Sequence, residues 1–94
     1  MDIPKKLKIG GHNFEVILKD RFKEDGDSKS GACSAYLSKI WIDSTAPANV
    51  QEETVLHEII EAIKLQNDWE LDHSVVCGLS EGLYQVLKDN NLRF

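Results

Sequence analysis

The spacing of apolar residues changes once along this chain, near Ser44, and that change restricts the folds available to it. Before Ser44, apolar residues alternate with polar ones, as around Phe14 and Val16, which is the pattern of half-buried strands. After Ser44 they recur every three or four positions, which is the spacing of amphipathic helices. Strands followed by helices predict an α+β fold, in which two helices pack on a small antiparallel sheet.

Turn residues and charge divide the first half into strands. We predict a hairpin over residues 6–18 whose turn lies at Gly10 and Gly11, since two glycines accept the positive φ values of a tight turn. Residues 19–30 are charged and rich in turn-forming residues, so they are predicted to form an exposed loop. The strands predicted for a second hairpin are residues 33–36 and 39–43.

Two helices are predicted in the second half. The first covers residues 50–66, with Asn49 as its N-cap and Glu52 as the acid that reaches back to the cap. The second runs to about Asp89 from Asp72, a residue type that favours the N-cap position.

Composition limits the function. A chain of 94 residues has room for one domain, so residues 1–94 are treated as a single unit. With 16 acidic against 11 basic residues the formal net charge is -5, which argues against binding nucleic acid or anionic membranes through basic side chains. Apolar runs are too short for a membrane span, and the first residues lack the apolar core of a signal peptide. Cys33 and Cys77 form no paired metal motif or disulfide framework, so a reduced, cytoplasmic protein is expected.

The first predicted helix contains the motif His57-Glu58-x-x-Glu61. His57 and Glu61 are four residues apart, so their side chains rise from one face and offer an imidazole and a carboxylate, both ordinary zinc ligands. Glu58 projects about 100° away around the helix, where it can approach a water without binding the metal. The pattern resembles the zinc motif HExxH with Glu61 in place of the second histidine. Alone it has low specificity, because helices are rich in glutamates, and a surface hydrogen bond between His57 and Glu61 explains it equally well.

His73 supplies a third side chain of the same chemistry. It lies at the start of the second predicted helix, and an antiparallel return of the chain brings that position beside His57. Two imidazoles and one carboxylate are a ligand set that catalytic zinc sites often use, with a fourth position left for water. The alternative for His73 taken alone is a solvated residue at a helix N-terminus.

Four segments of the chain also carry a resemblance to a known family. They are Lys8-Ile9-Gly10-Gly11-His12, the segment from Cys33 through Ile40-Trp41-Ile42-Asp43, residues 54–63 and residues 82–90. They are spread over most of the chain, from residue 8 to residue 90. They resemble the minimal zincin-like metallopeptidases, of the gluzincin type, that tailed phages and prophages encode.

The resemblance implies a compact zincin core in which His57 and His73 bind zinc and Glu58 is the catalytic base. It also implies that the strand Ile40-Trp41-Ile42 lines the cleft, where an extended substrate adds to the sheet. The chain departs from the family pattern at Glu61, which replaces the second histidine, and members with this variant can have little or no proteolytic activity.

Together, motif and resemblance predict a zinc-dependent metallopeptidase of phage or prophage origin in the host-cell cytoplasm, which acts on a protein or peptide. Its predicted metal ligands are His57, Glu61 and His73, and its predicted general base is Glu58. Two alternatives remain open. One is a non-catalytic module that keeps the zincin scaffold and binds a host or phage protein. The other is a structural metal domain, which requires a fourth protein ligand such as Cys77.

Other residues of the second helix have competing interpretations. Tyr84 falls on the His73 side and could direct its hydroxyl at developing negative charge, although a half-buried core tyrosine is favoured. Gly78 and Gly82 are expected to allow close helix packing, because no phosphate-binding context surrounds them. His12, at the first hairpin turn, is expected to be solvated.

Overall fold

The order of elements confirms the predicted α+β class. The computed structural model describes residues 3–20, 23–24, 27–28 and 30–92. The strands are β1 (Lys6–Ile9), β2 (His12–Lys19), β3 (Lys23–Glu24), β4 (Asp27–Ser28), β5 (Gly31–Ser34) and β6 (Lys39–Asp43), and the helices are α1 (Ala48–Gln66) and α2 (His73–Asp89).

The main sheet has four strands in the order β1-β2-β6-β5. Both predicted hairpins are present, and Gly10 and Gly11 have φ values of 58° and 86° in the first turn. The hairpins are joined by a parallel pairing of β2 with β6, so the sheet is mixed and the prediction of an antiparallel sheet was wrong. Parallel neighbours need a connection of about a dozen residues or more, and residues 20–38 provide it.

The predicted loop over residues 19–30 contains a short ribbon, in which β3 pairs with β4 in antiparallel fashion. Lys19 is still part of β2, and residues 21, 22, 25, 26 and 29 lie outside the described residues. In the second hairpin, β5 begins at Gly31 rather than Cys33. Tyr36 lies in the turn instead of the strand.

The start of α1 differs from the prediction. Pro47 is the N-cap and makes no side-chain cap bond, so Asn49 lies inside the helix. The preceding turn is held instead by Gln51, whose Nε2 donates to the carbonyls of Ser44 and Ala46 at 3.2 and 2.9 Å. In α2 the N-cap is Asp72, as predicted, although its side chain makes no cap hydrogen bond.

The hydrophobic core lies between one face of the sheet and α1. Its buried members are Ile9, Phe14, Val16, Ile40, Ile42, Val55 and Ala62. Among the described residues α2 packs on α1 and not on the sheet, so the prediction that both helices cover the sheet was wrong. Since α1 has a wide apolar arc, it receives the sheet on one side and α2 on the other. Neither described helix is long and apolar enough to cross a membrane.

Candidate metal centre

A cavity of about 600 Å³ lies between α1, α2 and the first residues of β5. The two helices run in opposite directions, because the start of α2 lies beside the middle of α1 and Tyr84 reaches back to Glu52 near the start of α1. This arrangement places the predicted site residues of both helices around one space. His57, Glu58, Glu61 and His73 all line the cavity.

Three of these side chains converge. His57, Glu61 and His73 each offer one ligand atom, and these atoms lie within 4.8 Å of one another. The two imidazole rings meet edge to face, with centroids 5.4 Å apart. Ligands of one tetrahedral zinc ion are about 3.3–3.5 Å apart, given metal–ligand bonds of about 2.0–2.1 Å, so small rotations close the set around an ion. Two imidazoles and a carboxylate therefore suit a divalent transition metal in both chemistry and spacing.

The surroundings of His57 favour its neutral form. Burial is the main cause that lowers the pKa of His57. The nearby His73 and Lys64 lower the pKa of His57 further, whereas Glu61 opposes the shift. A neutral imidazole is the form that binds metal. The protein thus presents His57 ready for coordination near neutral pH.

Ser80, which the sequence analysis missed, orients His57 from α2. It is 1% exposed, and its Oγ lies 3.5 Å from His57 Nδ1. The hydroxyl donates its only hydrogen to the Cys77 carbonyl at 3.0 Å, so Oγ accepts from Nδ1. This assigns the proton of the neutral ring to Nδ1 and leaves Nε2 as the ligand atom. Ser80 follows His73 by seven residues, a helical spacing that places both on one face of α2.

Lys64 is the cation nearest the carboxylate of the cluster. Its Nζ lies 3.4 Å from Glu61 Oε2 and donates to the Leu71 carbonyl at 3.4 Å. Leu71 belongs to the linker that leads into His73. Lys64 therefore connects Glu61 on α1 with the segment that positions His73.

Glu58 lines the same cavity but is not one of the three converging residues. It is 5% exposed and lies against β5, where a Cβ added to Gly31 would be 3.3 Å from Glu58 Oε2. The same hypothetical Cβ would be 2.5 Å from Thr54 Cγ2 and 2.8 Å from the Trp41 carbonyl oxygen. The absence of a side chain at Gly31 thus lets α1 approach the sheet edge closely. Glu58 is in this way held next to the strand that borders the cavity.

The two cysteines lie on opposite sides of the cavity. Burial raises the pKa of Cys33 to about 12, and Glu58 and Glu61 add to the shift. Cys77 Sγ lies 3.3 Å from His73 Nε2. Cys77 is not one of the three residues whose ligand atoms converge, so among the described residues the cluster consists of His57, Glu61 and His73.

Other predicted features lie away from this cavity. Tyr84 donates its hydroxyl to Glu52 and does not line the cavity, which agrees with the favoured interpretation of a half-buried tyrosine. His12 is exposed, as expected. The implication that the strand Ile40-Trp41-Ile42 lines the cleft was wrong, because this strand is β6, which lies inside the sheet between β2 and β5. The cavity is lined instead by Ser30 and the first residues of β5.

Comparisons of this chain with protein-family models, with curated proteins and with solved structures find no match.

Proposed function

We propose that this protein is a zinc-dependent hydrolase that cleaves peptide bonds, with His57, Glu61 and His73 as metal ligands. The observation that carries the proposal is the convergence of their ligand atoms within 4.8 Å in a cavity that Glu58 also lines. Catalytic zinc sites often use three protein ligands drawn from histidine and acidic side chains, and the two imidazoles and one carboxylate of this cluster match that set.

His57, Glu61 and His73 would hold the zinc ion, which would supply Lewis-acid chemistry toward a substrate carbonyl and water. Glu58 acts as the general base: its carboxylate takes a proton from the attacking water and returns it to the departing amine. Glu58 lines the cavity without belonging to the converging set, which supports this role, because a base must reach the water without occupying the metal. The Ser80 hydroxyl holds His57 in the tautomer that coordination requires.

The edge of β5 is the proposed binding surface for the substrate backbone. β5 is the last strand of the sheet and its first residues border the cavity, so an extended peptide can pair with its outer edge. A peptide paired in this way would run along the cavity that Glu58 and the cluster line. β6 offers no such edge, because it is paired on both sides.

The resemblance described above extends the proposal to a phage or prophage origin and to the host-cell cytoplasm. Cys33 and Cys77 are both free thiols, which suits a reducing compartment.

Cleavage of a peptide mixture by zinc-loaded protein, followed by mass spectrometry, tests the proposal. Glu58→Gln should lower the cleavage rate about 10²–10⁴-fold while zinc affinity stays within twofold. Glu70→Gln, an exposed glutamate in the linker between the helices, is the matched control and should change neither quantity. Zinc binding without cleavage by the parent protein would instead support the non-catalytic module, and absence of zinc binding would overturn the proposed hydrolase.

A further inference from the structure

The outer face of α2 is apolar and uncovered in the described part of the chain. Leu79, Leu83 and Val86 are 51%, 44% and 42% exposed, although the helical spacing predicts them as packing residues. Beside them lies a shallow groove of about 510 Å³, lined by Ile60, Gly78, Leu79, Gly82, Leu83 and Val86. The face lies opposite the side of α2 that carries His73 and Ser80, so it takes no part in the candidate metal centre.

Nothing in the described part of the chain requires glycine at the two glycine positions of this groove. A Cβ added to Gly78 or Gly82 would meet nothing within 4 Å, in contrast to Gly31. Glycine inside a helix reduces the folding equilibrium constant about fivefold relative to alanine. The helix therefore bears this cost twice, with no compensating contact among the described residues. Glycines four residues apart do have one well-known structural use, which is to let a second helix approach the backbone closely.

We propose that this face is the interface of a symmetric homodimer, in which α2 packs antiparallel on α2 of a second copy about a two-fold axis near Gly82. Residues equally far from Gly82 in opposite directions then face one another. Val86 of each copy meets Gly78 of the partner subunit, so a projecting side chain fills the space above a glycine on both sides. A face that carries its own knob and its own hole is self-complementary, as a two-fold interface requires.

Charge and area are compatible with this partner. All six residues that line the groove are uncharged, so two copies of this face can meet without opposing like charges. The 17 residues of α2 form a strip about 26 Å long. A standard interface covers about 10% of a small protein's surface, about 670 Å² of the 6656 Å² here. Pairing of two such strips reaches the lower end of stable interfaces, on the order of 1,000 Å² in total, and a dissociation constant on the order of 1–100 μM is expected.

Sedimentation equilibrium between 1 and 500 μM tests the proposal. Alanine substitutions at the glycines make the test specific, because they should stabilise the monomer and weaken the dimer. Gly78→Ala/Gly82→Ala should raise the folding equilibrium constant of the monomer, measured by urea unfolding at 1 μM, about 25-fold. The same variant should weaken dimerisation at least tenfold, because the added methyl groups fill the holes. Ser74→Ala, at an exposed position of α2 outside the groove, is the control for dimerisation and should leave it unchanged.

A protein that stays monomeric at 500 μM would overturn the proposal, as would a dimer whose dissociation constant is unaffected by both alanines. If the variant is more stable and the parent is monomeric, the face is open to a different partner and not to a second copy. None of these outcomes depends on zinc, so the dimer and the proposed function can fail independently.

Discussion

The Ser80 hydroxyl lies 3.5 Å from His57 Nδ1 and joins the two helices at the candidate metal centre. Because that hydroxyl already donates to the Cys77 carbonyl, it serves as an acceptor for the imidazole. A single buried serine on α2 therefore contacts the imidazole of a candidate ligand on α1, so the packing of α2 on α1 bears directly on the geometry of the candidate metal centre.

Ser80→Ala should weaken zinc binding about 10–100-fold, the range found when partners of metal-bound histidines are removed. The fold should persist, since the substitution deletes only one oxygen at a buried position. A competition titration against a chromogenic chelator measures the affinity, with Ser74→Ala on the exposed side of α2 as the control. Equal affinities of Ser80→Ala and the parent would show that His57 is oriented without Ser80.

Removal of a direct ligand should have a larger effect. We expect His73→Ala and Glu61→Ala to weaken zinc binding by similar factors, each above about 100-fold, because loss of a ligand exceeds loss of a supporting contact. Glu61→His should improve binding little, since the set of two imidazoles and one carboxylate already suits zinc. The same titration decides the question. Unchanged zinc affinity in Glu61→Ala would show that Glu61 is not a metal ligand and only forms an ion pair with Lys64.

Local patterns predicted the elements of this fold better than their arrangement. The alternation at Ile40 and Ile42 establishes which face of β6 is buried, but it is the same whether the neighbouring strand is parallel or antiparallel. That choice depends on the long connection between β2 and β6, which has no apolar rhythm. The helical period likewise predicted one apolar face for α2 without indicating that α1 covers only part of it.

In the candidate site, too, local patterns predicted some residues, whereas others depend on how the elements are arranged. The pair His57 and Glu61 follows from helical spacing alone, and an antiparallel return was enough to predict His73 beside them. The role of Ser80 could not be assigned in this way, because its contact with His57 depends on how far α2 slides along α1. The ion pair of Lys64 with Glu61 is local to α1, but the contact of Lys64 with the Leu71 carbonyl depends on the path of the linker. Contacts such as that between Glu52 and Tyr84 fix this register, and no local pattern encodes it.

Tyr84→Phe tests the structural role of Tyr84. The hydroxyl donates to the buried Glu52 and accepts from Lys88 Nζ at 3.0 Å, so its removal should cost about 1–3 kcal/mol of unfolding free energy. In a chain of this size each kcal/mol corresponds to about 4–8 °C in Tm. Zinc affinity should not change, because Tyr84 lies outside the cavity.

Tyr36→Phe is the matched control, because Tyr36 is 96% exposed in the turn between β5 and β6. It should alter neither Tm nor zinc affinity. A loss of zinc affinity in Tyr84→Phe comparable to that of a ligand variant would place Tyr84 at the metal centre after all.

Cys33 should react slowly with alkylating agents in the folded protein. Burial, assisted by Glu58 and Glu61, raises its pKa from 9.0 to about 12, so the thiolate fraction at pH 8 falls about 10³-fold. In metal-free Cys77→Ser protein, iodoacetamide at pH 8 should modify Cys33 about 10³ times more slowly than in urea-unfolded chain. Mass spectrometry of the adduct gives the rate. Equal rates in folded and unfolded protein would show that the fold neither shields the Cys33 thiol nor raises its pKa.

Gly31→Ala should destabilise the protein through the contact between β5 and α1. The added methyl group would lie 2.5 Å from Thr54 Cγ2 and 2.8 Å from the Trp41 carbonyl oxygen, and overpacking of this kind costs about 1–3 kcal/mol. Thermal unfolding measures the loss. The double variant Gly31→Ala/Thr54→Ser removes the Thr54 methyl group and should recover part of it, whereas the clash with the backbone of β6 remains. No loss of Tm in Gly31→Ala would show that α1 does not approach the sheet edge this closely, and the position of Glu58 beside β5 would then need another explanation.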